Sequence, residues 1–219
     1  MKNRASGPTF DAVVLAGGRA ARLGTSKPQL VVAGARLLDH VLTATDEARV
    51  TAVVGPPELA SDAYRLTRED PPFGGPVAGT AAGLAALRTP PLPDDAPGWV
   101  LLLACDVPRA AEGVPLLLAA VSTDLSTGPA ADSPCDGVHL VHAGRAQWLV
   151  GLYRRTSLER RVQELSAQGS VHGAPVRRLV AGLDLREVED AAGLSTDIDT
   201  WEDAHTYERP THRESGGTA

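Results

Sequence analysis

Cysteine is scarce in this chain. Cys105 and Cys135 are the two present in 219 residues, too few for a disulfide framework or a four-ligand zinc site. No apolar stretch approaches the roughly 18 residues that a helix needs to span a bilayer. Residues 1–8 carry charge but no apolar segment of the kind a secretory signal requires. Glycine and proline, 22 and 17 residues, make up less than a fifth of the chain. That is below the ~25–30% typical of low-complexity sequences, so global disorder is excluded. Basic residues are also outnumbered, 21 Lys and Arg against 27 Asp and Glu, for a formal charge of −6. Polynucleotide binding needs clustered cations to neutralise backbone phosphates. Neither nucleic acid nor a membrane is therefore an expected partner, and the chain reads as soluble, cytoplasmic and acidic.

Several familiar motifs are missing. A Walker A loop needs Gly-x-x-x-x-Gly-Lys-Ser/Thr, but Gly24 is followed by Thr25 and Lys27 comes too late. The Gly-x-Gly-x-x-Gly spacing of a dinucleotide fingerprint is absent, as are a Gly-x-Ser-x-Gly elbow and a His-Glu-x-x-His pair. The six histidines read as structural or surface residues. His139 and His142, three apart on a strand, would point to opposite faces. Cys105 reads as a small buried hydrophobe.

What is present is an alternation of strands and helices. Phe10–Leu15 is a β-branched apolar run that stops at Ala-Gly-Gly, as a buried parallel strand would. Leu37–Ala48 puts Leu38, Val41, Leu42 and Thr45 on one helical face. Val50–Val54 and residues 64–68 read as strands, 77–88 as a small-residue helix, and Trp99–Leu103 as the most hydrophobic strand. This rhythm predicts a largely parallel sheet with helices on both faces. The second half is less regular. It offers a helix over 114–121, a hairpin of 137–141 with 148–153 turning at Ala143-Gly144-Arg145, and a helix over 155–168. A strand over 183–188 and a helix over 200–208 follow. With no convincing linker, one domain is expected over 8–208, with flexible termini at 1–7 and 209–219.

Three stretches carry candidate chemistry. The first runs from Leu15 to Lys27, where a strand ends in glycine and Arg19, Arg22 and Lys27 follow within a short span. Glycines let a ligand approach the backbone and free successive N–H groups to form an anion nest. Three cations beside it would neutralise a polyphosphate, at the strand ends where open α/β sheets bind ligands. The alternative is a plain strand-to-helix turn with solvated arginines. The second stretch is Cys105-Asp106-Val107-Pro108. Asp106 could hold Mg²⁺ on bound phosphates, or could cap the next helix. Asp197 and Asp199 would share one side of an extended segment, although Asp199 or Thr200 could instead cap the last helix. The third stretch, Arg68 to Gly79, has a helix start at Gly75-Pro76. It carries glycines at 79 and 83 that would let this helix lie close to a neighbour. A carboxylate here could accept both N1–H and N2–H of guanine, a donor pair that cytosine lacks, or could belong to an ordinary acidic loop.

Together these residues resemble the nucleotidyltransferase family that includes the molybdenum cofactor guanylyltransferases. Leu15, Ala16, Gly17, Gly18, Arg22, Gly24 and Lys27 match its Leu-Ala-Gly-Gly-x-x-x-Arg-x-Gly-x-x-Lys loop without a gap. Gly34–His40 is similar to its Gly-x-x-Leu-Leu-x-His segment, Gly75–Gly79 to Gly-Pro-Leu-Ala-Gly, and Cys105–Pro108 to Cys-Asp-x-Pro. Asp197–Asp203 resembles the closing Asn/Asp-Ile-Asn/Asp-Thr-Pro-Glu-Asp. The resemblance runs in order from about residue 10 to 204. It implies an α/β, Rossmann-like three-layer fold with a mostly parallel mixed sheet, of the nucleotide-diphospho-sugar transferase type. It also implies transfer of GMP from GTP to the phosphate of Mo-bound molybdopterin, with release of pyrophosphate, and transient contact with molybdoenzyme maturation proteins. Carried over to this chain, the nucleotide-binding set is Leu15, Ala16, Gly17, Gly18, Arg19, Lys27, Asp70, Gly75 and Asp106. Asp70 is the guanine reader, with Glu69 a neighbouring candidate. Arg22, Lys27 and Asp106 are the catalytic set, and Asp106, Asp197 and Asp199 the Mg²⁺ ligands. Ser26 stands where the guanylyltransferases often have Asp, and Trp201 where the closing motif has Pro. Other readings are a molybdopterin cytidylyltransferase, a guanylyltransferase for another small phosphorylated acceptor, or a non-catalytic nucleotide-binding module.

Overall fold

The computed structural model describes residues 7–18, 26–88, 98–126 and 135–208. In chain order, its elements are β1 (Phe10–Leu15), β2 (Val31–Val32), β3 (Ala35–Arg36), α1 (Leu37–Leu42), β4 (Thr51–Val54) and β5 (Arg65–Thr67). Then come α2 (Gly75–Leu87), β6 (Trp99–Ala104), α3 (Ala110–Ser126), β7 (Gly137–His142) and β8 (Arg145–Arg154). The chain closes with α4 (Arg155–Ala167), α5 (Val176–Val180), β9 (Leu185–Glu189) and α6 (Trp201–Glu208). Expectations placed on Arg19, Arg22, Gly24, residues 1–6 and residues 209–219 lie outside the described residues.

Seven strands form one sheet in the order β5-β4-β1-β6-β8-β7-β9, and β2 pairs with β3 in a separate hairpin. β5, β4, β1 and β6 run parallel. β8 is antiparallel to both its neighbours, and β7 and β9 are parallel to each other. Strand β1 lies between β4 and β6, so the chain leaves it first to one side and later to the other. That is the crossover at which open α/β sheets bind ligands.

Both faces of the sheet are covered, and alternation along the strands decides which residue goes where. Ala12, Val14, Leu101 and Leu103 pack with Leu38 and Val41 of α1 and Leu117 and Val121 of α3. Val13, Val100 and Leu102 face the other way, against Val77 and Leu84 of α2, Leu158 and Leu165 of α4, and Leu179 of α5. The result is the three-layer α/β architecture. Gly83 of α2 sits so close to β1 that a Cβ there would lie 2.5 Å from Val13 Cγ1. A third, small cluster of Leu30, Val32, Leu37, Ile198 and Ala204 ties the β2–β3 hairpin to the end of the chain.

One charged residue hides inside the apolar first strand. Asp11 is fully buried. It accepts hydrogen bonds from Arg49 Nε at 3.1 Å and Arg49 Nη2 at 3.2 Å, and pairs with the buried Arg155 at the start of α4. A carboxylate in that position is tolerable only because both oxygens are paired.

Several element boundaries differ from those expected. The helix read over 37–48 ends at Leu42 and tightens into a 3₁₀ turn at Thr43–Thr45. α3 starts at Ala110 rather than 114 and carries Pro115 inside, at the cost of one helical hydrogen bond. The hairpin between β7 and β8 turns on two residues, with φ of +49° at Ala143 and +72° at Gly144. Two consecutive positive φ values suit the right-handed twist of the flanking strands, and β8 therefore starts at Arg145. The β2–β3 hairpin turns the same way, at Ala33 (φ +48°) and Gly34 (φ +83°). Its two-residue strands are too short to leave a periodic signal.

Candidate active site

A cleft of about 520 Å³ opens at the carboxyl ends of β1, β4 and β6. Its floor and walls come from Leu15, Gly17 and Gly18 after β1, Val54 of β4, and Ala104, Cys105 and Asp106 after β6. Lys27, Pro28, Glu69, Phe73, Gly75, Pro76, Gly79 and Leu149 complete it. A second concavity of about 510 Å³ adjoins the first and shares Gly17, Gly18, Glu69 and Phe73 with it. It extends toward Ala16, Gly55, Pro56 and Arg68.

Backbone pairing positions the glycine turn. Ala16 N–H donates to Val54 O at 2.8 Å, and Cys105 N–H donates to Leu15 O at 3.0 Å. The sheet thus holds the chain to Ala16 and releases it at Gly17. Gly18 adopts φ +153°, a conformation that side-chain-bearing residues rarely take. A Cβ on Gly17 would stand 3.9 Å from a Glu69 carboxylate oxygen, so that side chain reaches the turn.

Asp106 follows β6, the most hydrophobic strand, and its side chain turns into the cleft instead of capping α3. Its Oδ2 accepts a hydrogen bond from Lys27 Nζ at 2.8 Å. Lys27 also donates to Asp199 Oδ1 at 2.5 Å, joining residues 172 positions apart. Asp197 completes the cluster: one carboxylate oxygen from each of Asp106, Asp197 and Asp199 lies within 4.8 Å of the others.

The segment that delivers Asp197 and Asp199 is built for the purpose. Asp190 is buried and accepts from Leu194 N, Ser195 N and Ser195 Oγ at 2.8, 2.8 and 2.6 Å, folding the turn before the pair. Ile198 N–H donates to Asp106 O at 2.9 Å, docking the segment on the end of β6. Ile198 buries its side chain in the small third cluster, leaving its two aspartate neighbours on the opposite side. Helix α6 is capped by Thr200 and Asp203: Asp203 N donates to Thr200 Oγ1 at 3.2 Å, and Thr200 N donates to Asp203 Oδ2 at 2.8 Å. With Thr200 taking the cap, Asp199 is available to Lys27.

Electrostatics follow from this crowding. Burial pulls the Lys27 ammonium down, but Asp106 and then Asp199 more than offset it and hold its pKa above the ordinary value. Burial pushes the Asp197 carboxyl up, and Asp199 and Asp106 reinforce the shift. Burial also pushes the Cys105 thiol far up, so it is no nucleophile. Three acids with one ammonium carry two formal negative charges, a balance suited to a divalent cation with hard oxygen ligands.

The acidic loop before α2 contributes differently from the expectation centred on Asp70. Glu69 is half-buried and lines both concavities, whereas Asp70 is exposed and lines neither. Glu69 Oε1 accepts from Phe73 N–H at 3.0 Å. Gly75 begins the 13-residue α2 at φ +82°, and its helix N-terminus borders the cleft. Sequence reasoning did not single out Phe73 or Arg68. A lone aromatic between prolines and glycines carries no periodic signal.

The MobA-like NTP transferase domain family matches residues 12–188. A molybdenum cofactor guanylyltransferase from Pseudomonas paraeruginosa is 36% identical over 108 residues, covering 47% of this chain and 50% of the relative. A probable molybdenum cofactor guanylyltransferase from Trichormus variabilis is 37% identical over 103 residues, 45% of this chain and 46% of the relative. The chain thus spans about half the length of the curated relatives it matches. Among solved structures, the molybdopterin-guanine dinucleotide biosynthesis protein A of Archaeoglobus fulgidus superposes with a TM-score of 0.63 at 20% identity. That match covers 90% of this chain and 96% of the other. The 2-C-methyl-D-erythritol 4-phosphate cytidylyltransferase of Thermus thermophilus gives 0.59 at 16% identity, over 90% and 96%. These likenesses share the fold found here, and with the family match over most of its length the chain belongs to the MobA-like NTP transferases.

Proposed function

We propose that the chain is a Mg²⁺-dependent guanylyltransferase, moving GMP from GTP to the phosphate of Mo-bound molybdopterin with release of pyrophosphate. The observation that carries this reading is a cleft lined by the glycine turn after β1, Lys27 and Asp106, with Asp197 and Asp199 gathered against Asp106. The guanine and molybdopterin assignments draw on the names of the matched relatives.

The acceptor phosphate oxygen attacks the α-phosphorus of GTP in line, while the bond to pyrophosphate breaks on the opposite side. That oxygen is already ionised, so the protein needs no nucleophile and no base. Its contribution is positioning and charge neutralisation. The turn at Gly17 and Gly18 lets the nucleotide lie against the end of β1. The N-terminus of α2 aims its N–H groups toward bound anionic groups. Lys27 has three donors and two carboxylate partners among the described residues, leaving one donor for a phosphate oxygen. Arg19 and Arg22, between Gly18 and Lys27 in the sequence, would add charge to the phosphates. Asp106, Asp197 and Asp199 would hold Mg²⁺, which supplies neutralisation of the phosphate oxygens when bound. Glu69 would accept N1–H and N2–H of guanine. Maturation proteins of molybdoenzymes are the partners this product would pass to, and the cytoplasm is the matching compartment.

A thermal-shift series with GTP, CTP, ATP and UTP in the presence of Mg²⁺ tests the base. A ligand at 100 times its Kd stabilises by roughly 2.7 kcal/mol, and GTP is expected to raise the midpoint most. Preferential stabilisation by CTP would overturn the guanylyl assignment. Pyrophosphate release on adding molybdopterin then separates a transferase from a binding module.

A further inference from the structure

Four large hydrophobic side chains are exposed among the described residues: Val31, Phe73, Leu116 and Trp201. Only Phe73, 51% exposed, borders the cleft, and it lines both concavities together with Gly17, Gly18 and Glu69. The backbone that carries the ring is held in place. Its backbone takes φ +64°, a left-handed conformation that a bulky residue adopts only where its surroundings enforce it. The enforcement is visible on both sides. Glu69 Oε1 accepts the Phe73 N–H at 3.0 Å, and the next residue, Gly74, accepts from Gly173 N–H at 2.7 Å. The Arg68 guanidinium lies 5.3 Å from the ring centroid, within cation–π range.

Resting on the nucleotidyltransferase reading above, we propose that Phe73, braced by Arg68, is the platform on which the heteroaromatic base of the nucleotide stacks. The chemistry is complementary. A planar base offers a π-face to an aromatic ring and N–H groups at its edge to a carboxylate. Here both kinds of partner, Phe73 and Glu69, border the same concavity beside the glycine turn. Lys27 and the acidic cluster occupy the other end of the site, which leaves the triphosphate to them. Phe73 is thus a nucleotide-binding residue that acts on the base and not on the phosphates. A pterin ring presents a similar face and edge, so the acceptor is the other source of the same chemistry.

Isothermal titration of wild type, Phe73→Ala, Phe73→Leu and Phe73→Tyr, each with GTP, inorganic tripolyphosphate and a free pterin, separates the outcomes. Aromatic stacking of a base predicts GTP binding weakened roughly five- to 150-fold in the Ala and Leu variants. Tyr should restore it, and tripolyphosphate binding should not change. Unaltered GTP affinity in Phe73→Ala would overturn the proposal. So would an equal loss of tripolyphosphate binding, since that marks a role in folding the loop. Weakening of the pterin alone would move the ring to the acceptor and overturn the base assignment. Wild-type protein that takes tripolyphosphate but no nucleotide would overturn the nucleotidyltransferase reading itself.

Discussion

Single residues set the chemistry of the cleft, and Asp106 takes part through both its side chain and its backbone. It meets Lys27 through its side chain and Ile198 through its carbonyl. In Asp106→Ala, Ile198 keeps its backbone partner and Lys27 keeps Asp199. A partly exposed ion pair contributes only about 0–1 kcal/mol, so the unfolding midpoint should barely move. Transfer activity should fall below detection. A variant that folds and still releases pyrophosphate at near wild-type rate would remove Asp106 from the site. Asp190 acts on the same cluster from a distance. Burial pushes its carboxyl up, but the Ser195 hydroxyl and the amides of Leu194 and Ser195 prevail and leave its pKa below the ordinary value. A depressed folded-state pKa means stability that is present above the unfolded value of ~3.9 and lost as pH falls through the lower folded value. Urea titrations of wild type and Asp190→Asn should show a gap that is constant near neutrality and closes on acidification below about pH 4. A gap independent of pH would contradict this. These roles differ in how readable they were. Asp106 stands directly after a hydrophobic strand and Lys27 closes a glycine loop, so both are marked by position. Asp190 and Phe73 are defined by hydrogen bonds that form only after folding.

At the scale of elements, α2 explains why a helix of Gly, Ala and Thr lies beside the site. Its small residues let it settle on β1, and its first turn then borders the cleft. Gly83→Ala would place a methyl 2.5 Å from Val13 Cγ1 and force the helix outward. Overpacking of this kind costs roughly 1–3 kcal/mol, against a gain of under ~1 kcal/mol from better helix propensity. Chemical denaturation should therefore show a net loss, and a stabilised variant would refute the close approach. The close helix and the strands β1, β4 and β6 could be read from the sequence, because burial on both faces makes unbroken apolar runs. The β2–β3 hairpin could not, since two residues per strand give no period. The early start of α3 was hidden by Pro115, and the end of α1 by a 3₁₀ turn that keeps helical spacing for one more turn.

Across the whole molecule, the parallel half of the sheet carries the cleft at its carboxyl ends, and the segment after β9 docks beside it on Asp106. Asp11 joins the parallel strands to α4. It sits on β1, and its two arginines precede β4 and begin α4, 38 and 144 residues away. Asp11→Asn leaves two guanidinium groups facing a neutral amide, and breaking such a buried network costs about 3–5 kcal/mol. Equilibrium unfolding should show that loss, with a loss below ~1 kcal/mol counting against the network. Composition suggested a run of apolar residues here and could not reveal the pair, because the partners are distant in sequence. The net charge of −6 likewise described the surface as a whole. Three of the acids are instead gathered around Lys27 at the edge of one cleft.

The bond from Lys27 to Asp199 also fixes an order of events in time. Everything needed for the sheet, from β1 to β9, leaves the ribosome before Asp197 and Asp199 do. The three acids repel one another until the ammonium and the docked Ile198 hold them. The acidic cluster is therefore the last part of the cleft to be synthesised: a nascent chain that already contains every strand of the sheet still lacks two of its three acids.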